Sequence, residues 1–116
     1  MRFMVFGNPE LTGLLEQSGV DLFMDGTWDC TPQPFEQTYI IMVYDQQTRK
    51  YVPVLYVLMS HRNQYLYWLV FSTVVILSEW KLKCNSYTTD FEKAAINAAQ
   101  EQFSEGFHVG CLFHFK

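Results

Sequence analysis

Apolar and polar residues alternate in the first half of the chain with the period of two that half-buried β-strands show. Two stretches, residues 38–44 and 51–59, are rich in β-branched and aromatic residues, and the short polar segment 45–50 lies between them. Before them lies a strand whose residues face alternate sides: Val20, Leu22 and Met24 on one side, and Asp21, Phe23 and Asp25 on the other. Three strands with short links predict an antiparallel meander.

The hydrophobic period changes to 3.6 after the third strand, which predicts a helix over residues 63 to about 79 that covers one face of the sheet. A run of β-branched residues near its end also suits a strand, so the pattern leaves the end of the helix open. The residues that recur at helical spacing are Leu66, Leu69, Val70, Thr73, Val74 and Leu77.

A weaker strand is predicted over residues 82–89, and a second helix follows it directly. Thr89 and Glu92 have the spacing of a capping box, which places the start of this helix at the end of the strand. A last strand is predicted over residues 108–115. One face of the second helix consists of apolar residues: Phe91, Ala94, Ala95 and Ala98.

The order of strand, strand, strand, helix, strand, helix, strand predicts an α/β fold with a mixed sheet. Residues 1–19 are interrupted by Gly7, Pro9, Gly13 and Gly19, so we expect an N-terminal lead-in segment with at most a short helix at residues 10–17. Residues 20–116 then form a single domain, since 116 residues are too few for two.

Composition narrows the classes of function. Hydrophobic residues make up 49% and aromatic residues 17% of the chain, which favours a packed core over disorder. The net charge of −4 provides no basic surface for nucleic acid. The most apolar run, residues 65–77, has 13 residues, whereas a membrane span needs about 20. Three cysteines and no signal-peptide pattern predict an intracellular protein with free or metal-bound thiols.

Two carboxylates carry the strongest chemical signal. Asp25 lies on a strand that must be largely buried, Gly26 lets the backbone approach another group, and Asp90 follows the fourth strand. If the first and fourth strands pair in parallel, both carboxylates emerge at one edge, where Mg²⁺ or Mn²⁺ would neutralise them. The alternative is structural, because Asp-Gly is common in turns and an Asp suits the first turn of a helix.

Four short sequence motifs resemble, in their order and spacing, the catalytic domain of Mutator-like element (MULE) transposases. The resemblance extends from about residue 20 to the last residue. The motifs are Leu22-Phe23-Met24-Asp25-Gly26-Thr27-Trp28, Val52-Pro53-Val54, Thr88-Thr89-Asp90-Phe91-Glu92 and Gly110-Cys111-Leu112-Phe113-His114-Phe115.

The resemblance implies a ribonuclease H-like fold and a DDE-type transposase that cleaves and joins DNA with two Mg²⁺ or Mn²⁺ ions. It makes Asp25 and Asp90 the first two catalytic, metal-binding aspartates, and Cys111 and His114 the family's Cys-x2-His element. It also implies a third acidic residue on a downstream helix. No glutamate in the chain matches that residue, so we expect a domain without its C-terminal helices that is inactive alone.

Several expectations follow for partners and location. DNA would be bound through the full-length protein, in the nucleus and not at a membrane, and an oligomer is possible. Cys111 and His114 supply only half of a structural zinc site, so zinc is not favoured. The alternatives are a decayed or domesticated transposon-derived protein that binds DNA or protein partners, and a small zinc-binding module.

Overall fold

The computed structural model describes residues 2–17, 19–27, 31–89, 92–104 and 106–110. Within them the chain forms six strands and three α-helices, with a 3₁₀ turn at Gly13–Glu16. The strands are β1 (Phe3–Gly7), β2 (Val20–Thr27), β3 (Gln37–Asp45), β4 (Lys50–Met59), β5 (Cys84–Thr89) and β6 (Phe107–Gly110). The helices are α1 (Pro9–Thr12), α2 (Gln64–Leu77) and α3 (Lys93–Gln102).

All six strands belong to one mixed sheet in the order β1-β4-β3-β2-β5-β6. The pairs β1–β4, β4–β3 and β3–β2 are antiparallel, whereas β2–β5 and β5–β6 are parallel. The predicted antiparallel meander is therefore confirmed, and so is the parallel pairing of the first and fourth predicted strands. Strand β2 lies inside the sheet, with an antiparallel neighbour on one side and a parallel neighbour on the other.

The hydrophobic core lies on one face of the sheet. The alternation predicted for β2 is confirmed, because Val20, Leu22 and Met24 are buried there and Asp21 lies on the other face. Helices α2 and α3 pack against each other over this core. We call the opposite side the open face, and several of its apolar side chains are exposed, including Phe6 and Tyr56.

Helix α2 starts where the sequence predicts. The side chain of Asn63 accepts a hydrogen bond from the backbone N–H of Leu66 at 2.9 Å, which satisfies one of the free donors of the first turn. The helix has 14 residues, and its buried residues belong to the core. Among the described residues, no helix has both the length and the hydropathy that crossing a bilayer requires.

The predicted capping box is wrong. Thr89 is the last residue of β5 and is fully buried, whereas α3 starts only at Lys93. Burial of Thr89 and its pairing with Gly110 of β6 keep the backbone extended to residue 89. The N-cap position belongs to Glu92, whose side chain makes no capping bond. Of the predicted apolar face, Ala95 and Ala98 are buried and Ala94 is partly buried, whereas Phe91 lies outside the described residues.

The first 19 residues contribute more than the predicted lead-in segment. Strand β1 forms an edge of the same sheet, with Val5 paired to Val57 of β4. Residues 10–17 contain α1 and the 3₁₀ turn rather than one helix, and Leu15 from this turn is fully buried in the core. β1 has five residues and no clear polar alternation, so its pairing with β4 decides its structure. Strand β6 confirms the start of the last predicted strand, and residues 111–115 of that prediction lie outside the described residues.

Candidate metal centre

Asp25 lies two residues before the end of β2 and points to the open face. Its side chain is half-buried between strands, and its backbone pairs with Ile40 of β3. The carboxylate Oδ1 accepts a hydrogen bond from the backbone N–H of Gly26 at 2.9 Å. This bond restricts the rotation of the carboxylate.

The parallel register brings the end of β5 beside the end of β2. The last paired position joins Phe23 to Thr88, and Thr89 ends β5 one residue later. The carboxyl ends of both strands therefore lie at the same edge of the sheet. We call this edge the rim and define it as residues 25–27 together with residues 88 and 89. Three predicted site residues, Asp90, Cys111 and His114, lie outside the described residues.

Gly26 allows close packing beneath Asp25, as the sequence predicts. A Cβ atom at this position would collide with Oε1 of Gln37, whose side chain lies against the backbone of β2. Gln37 is only 1% exposed, so its amide has little space in which to move. Its Nε2 donates a hydrogen bond to the hydroxyl of Tyr67 at 2.8 Å.

A second polar group completes this arrangement. The hydroxyl of Tyr67 donates a hydrogen bond of 2.8 Å to Oε2 of Glu92. The other carboxylate oxygen of Glu92 lies 3.4 Å from Nε of Arg62. The sequence analysis did not identify Gln37, Tyr67 or Glu92 as a connected set. The sequence feature that could have pointed to this set is a glutamine at the start of an apolar strand. A buried side-chain amide needs hydrogen-bond partners.

Asp21 is a second carboxylate on the open face of β2, but it lies near the other end of the strand. Its Oδ1 accepts hydrogen bonds from the hydroxyl of Ser86 at 2.7 Å and from Nδ2 of Asn85 at 3.0 Å. Four residues of extended chain separate it from Asp25, a distance of about 13 Å. Asp21 therefore serves a side-chain network between β2 and β5 and lies away from the rim.

The described part of the chain contains no cluster of three His, Cys, Asp or Glu side chains that could hold a metal ion. Cys84 is buried, and its Sγ donates to the backbone oxygen of Ser86 at 3.3 Å. Burial, reinforced by the negative charge of Asp21, raises the pKa of the Cys84 thiol to about 12. A thiol must lose its proton to bind zinc, so Cys84 is a poor zinc ligand in this environment.

We expect Cys84 to resist alkylation by iodoacetamide at pH 8 until the protein unfolds, because the thiol is both buried and protonated. Peptide mapping by mass spectrometry, with and without urea, measures this site separately from the other cysteines. Rapid labelling of Cys84 in the folded protein would contradict the structure.

The same pKa shift makes folding sensitive to alkali. In the unfolded chain the thiol loses its proton near pH 9, whereas the folded protein retains it up to about pH 12. The free energy of unfolding should therefore fall as the pH rises above 9. Urea unfolding at pH 8 and pH 10 should show a smaller fall for Cys84→Ala than for the wild type, and an equal fall would count against this assignment.

Comparison with models of protein families shows to which family the chain belongs. The model described as the MULE transposase domain matches residues 22–116. The chain belongs to the MULE transposase domain family. The match covers most of the 116 residues, including the first and last of the four sequence motifs that resemble the family. No curated protein matches the chain.

Membership of the MULE transposase family relates this α/β domain to transposition and therefore, in general terms, to DNA. The matched residues include Asp25, Asp90, Cys111 and His114. The resemblance of the sequence motifs to this family is thus confirmed.

Proposed function

We propose that this MULE transposase domain supplies two carboxylate ligands, Asp25 and Asp90, to the metal site of a ribonuclease H-like catalytic core. The strand order supports the fold assignment, because an antiparallel β4-β3-β2 unit continues into the parallel strands β5 and β6. The helices α2 and α3 connect these strands in the order that the resemblance implies.

The observation that carries the proposal is the register between β2 and β5. Asp25 follows Phe23 by two residues, and Asp90 follows Thr88 by two residues, while Phe23 and Thr88 are paired. Residues two apart share a face if the chain stays extended, so an extended course past Thr88 would give the two carboxylates a common location on the open face of the rim. The register brings the carboxyl ends of β2 and β5 together although the two aspartates are 65 positions apart in sequence.

The chemistry of these ligands suits Mg²⁺ or Mn²⁺, which prefer oxygen donors. Two such ions about 3.5–4 Å apart activate an attacking oxygen and stabilise a leaving oxygen. Asp25 would bind metal on the side that is open to solvent, and the Gly26 amide would hold the carboxylate in one orientation. The proposed reaction is in-line attack of water or a DNA 3′-hydroxyl on a phosphodiester.

DNA cleavage and strand transfer also need groups that this site does not supply. The resemblance implies a third acidic residue, and the net charge of −4 offers no basic surface for DNA. We propose that DNA is held by other parts of a full-length transposase that acts in the nucleus. We therefore expect the 116-residue chain to bind Mn²⁺ weakly and to cleave no DNA.

A non-catalytic role is the second candidate. The chain would then be a decayed or domesticated transposon-derived protein that binds DNA or protein partners. Metal binding at the rim separates the two candidates, because a domain kept only for binding partners has no need of paired carboxylates there.

Titration with Mn²⁺ tests the proposal. Asp25→Asn and Asp90→Asn should each weaken binding at least about tenfold, since even indirect partners of a metal site commonly contribute that much. Asp21→Asn is the matched control, because it removes a carboxylate from the same face of the same strand. It should leave the affinity unchanged.

The location of the bound ion gives a second measurement. Paramagnetic Mn²⁺ should broaden the backbone amide signals of Gly26 and Thr89 and spare those of Asp21 and Asn85 at the other end of the strands. Equal affinity of the wild type and the Asp25 and Asp90 variants, or broadening centred on Asp21, would refute the proposed site.

A further inference from the structure

A hydrogen-bond chain lies beneath the rim and connects its two halves. It passes from the amide of Gln37 to the hydroxyl of Tyr67 and on to the carboxylate of Glu92. These three residues come from β3, α2 and the start of α3, and are 30 and 25 positions apart in sequence. The chain therefore joins elements that the backbone alone leaves independent.

At one end the chain contacts the segment that carries Asp25. The amide of Gln37 lies against Gly26, the residue whose N–H holds the Asp25 carboxylate. Because a Cβ at Gly26 would collide with Gln37, the two residues are in direct packing contact. The position of the Gln37 amide therefore limits the space available to the backbone next to Asp25.

At the other end the chain holds Glu92, two residues after Asp90 in the sequence. Glu92 is the N-cap residue of α3, and its side chain makes no capping bond. Its carboxylate is instead bound by the Tyr67 hydroxyl and lies beside Arg62, with a side-chain exposure of 20%. The link between β5 and α3 is therefore attached to the side of α2.

The direction of the hydrogen bonds favours a fixed geometry. The Gln37 amide donates to Tyr67, and the Tyr67 hydroxyl donates to a carboxylate, which is a charge-assisted acceptor. Gln37 Nε2 also lies 3.4 Å from the sulfur of Met59, so the amide has a second contact on its donor side. In a buried site such connected bonds strengthen one another and leave few alternative rotamers.

We propose that Tyr67 is a positioning residue that sets the spacing of the two carboxylates at the rim, acting through Gln37 on the Asp25 side and through Glu92 on the Asp90 side. The proposal rests on the metal site described above. Two ions held about 3.5–4 Å apart demand accurate placement of their ligands. The chain joins both ligand-bearing segments to helix α2, a rigid element of the core.

Tyr67→Phe is the decisive variant, because it removes the hydroxyl and retains the ring that packs against Tyr39 and Phe71. We expect Mn²⁺ affinity to fall about threefold to tenfold, at the low end of the effects seen when partners of metal ligands are removed. Gln37→Leu should act in the same direction. The double variant should be no weaker than the weaker single variant, since both changes break one chain.

Two control variants separate positioning from general loss of stability. Val74→Ala lowers stability from a buried position on the same helix and removes no hydrogen bond. Tyr44→Phe removes a hydroxyl near the far end of β3, where Tyr44 pairs with Tyr51. Both should keep wild-type Mn²⁺ affinity at a temperature where circular dichroism shows every variant to be folded.

The outcomes distinguish failure of the positioning role of Tyr67 from failure of the metal site. Loss of affinity in Asp25→Asn and Tyr67→Phe, with both controls unchanged, supports positioning by Tyr67. Loss in Asp25→Asn with wild-type affinity in Tyr67→Phe overturns the positioning role and leaves the metal site intact. Unchanged affinity in Asp25→Asn overturns the metal site and, with it, the positioning role.

Discussion

Phe71→Ala is expected to lower the free energy of unfolding by about 3–5 kcal/mol, the range for removal of a buried aromatic ring. Phe71 is fully buried on α2, and its ring centroid lies 5.5 Å from that of Phe103 and 6.0 Å from that of Tyr39. It therefore joins α2 to β3 and to the end of α3. These two neighbours belong to separate elements, so they cannot easily close the cavity left by the ring.

The measurement is urea unfolding followed by circular dichroism, with Ile76→Ala as the control on the same helix. Ile76 is 52% exposed, so its truncation should change stability by no more than about 0.5 kcal/mol. Natural domains of this size have only about 5–15 kcal/mol of stability. A loss below about 1 kcal/mol for Phe71→Ala would show that α2 does not pack on the sheet as described.

Leu22→Asn should lower the free energy of unfolding by about 3–8 kcal/mol. Truncation of a buried leucine typically costs about 2–5 kcal/mol, and an amide left without partners adds about 1–3 kcal/mol. Leu22 is fully buried on β2, between Val43 of β3 and Tyr87 of β5. The strand places its side chain against the helices, where no water reaches it.

Phe23→Asn is the matched control, because the next residue of the same strand points to the open face. Its ring contacts Tyr51 at 5.7 Å between centroids and remains half-buried, so a smaller loss of stability is expected. Urea unfolding of both variants gives the comparison. If Phe23→Asn were the more damaging change, the faces of β2 would be assigned the wrong way round.

The sequence indicated the strands β2 to β4 and the helix α2 because their signals are local. Alternation along β2 reports which side chains meet the core, and that period depends only on neighbouring residues. The polar hairpin segment between β3 and β4 and the cap at Asn63 are local signals of the same kind. For the site, the sequence singled out Asp25 and the need for close packing at Gly26.

Other features were decided by partners distant in sequence. Strand β1 has no strong pattern of its own and forms a strand because β4 presents an edge to it. Thr89 satisfies a capping pattern, yet burial and pairing with Gly110 of β6 keep it extended. Local propensity is worth a few tenths of a kcal/mol per residue, which burial of a side chain in the core readily exceeds.

The sequence by itself determined the faces of β2 and the order of the main elements, and it singled out Asp25 and Asp90 as candidate metal ligands. Only the tertiary structure decided that β2 and β5 are parallel neighbours with Phe23 beside Thr88, and that Tyr67 joins Gln37 to Glu92. The reason is physical. Periodicity records which side of an element is buried, whereas register and buried hydrogen bonds arise only when segments far apart in the chain meet.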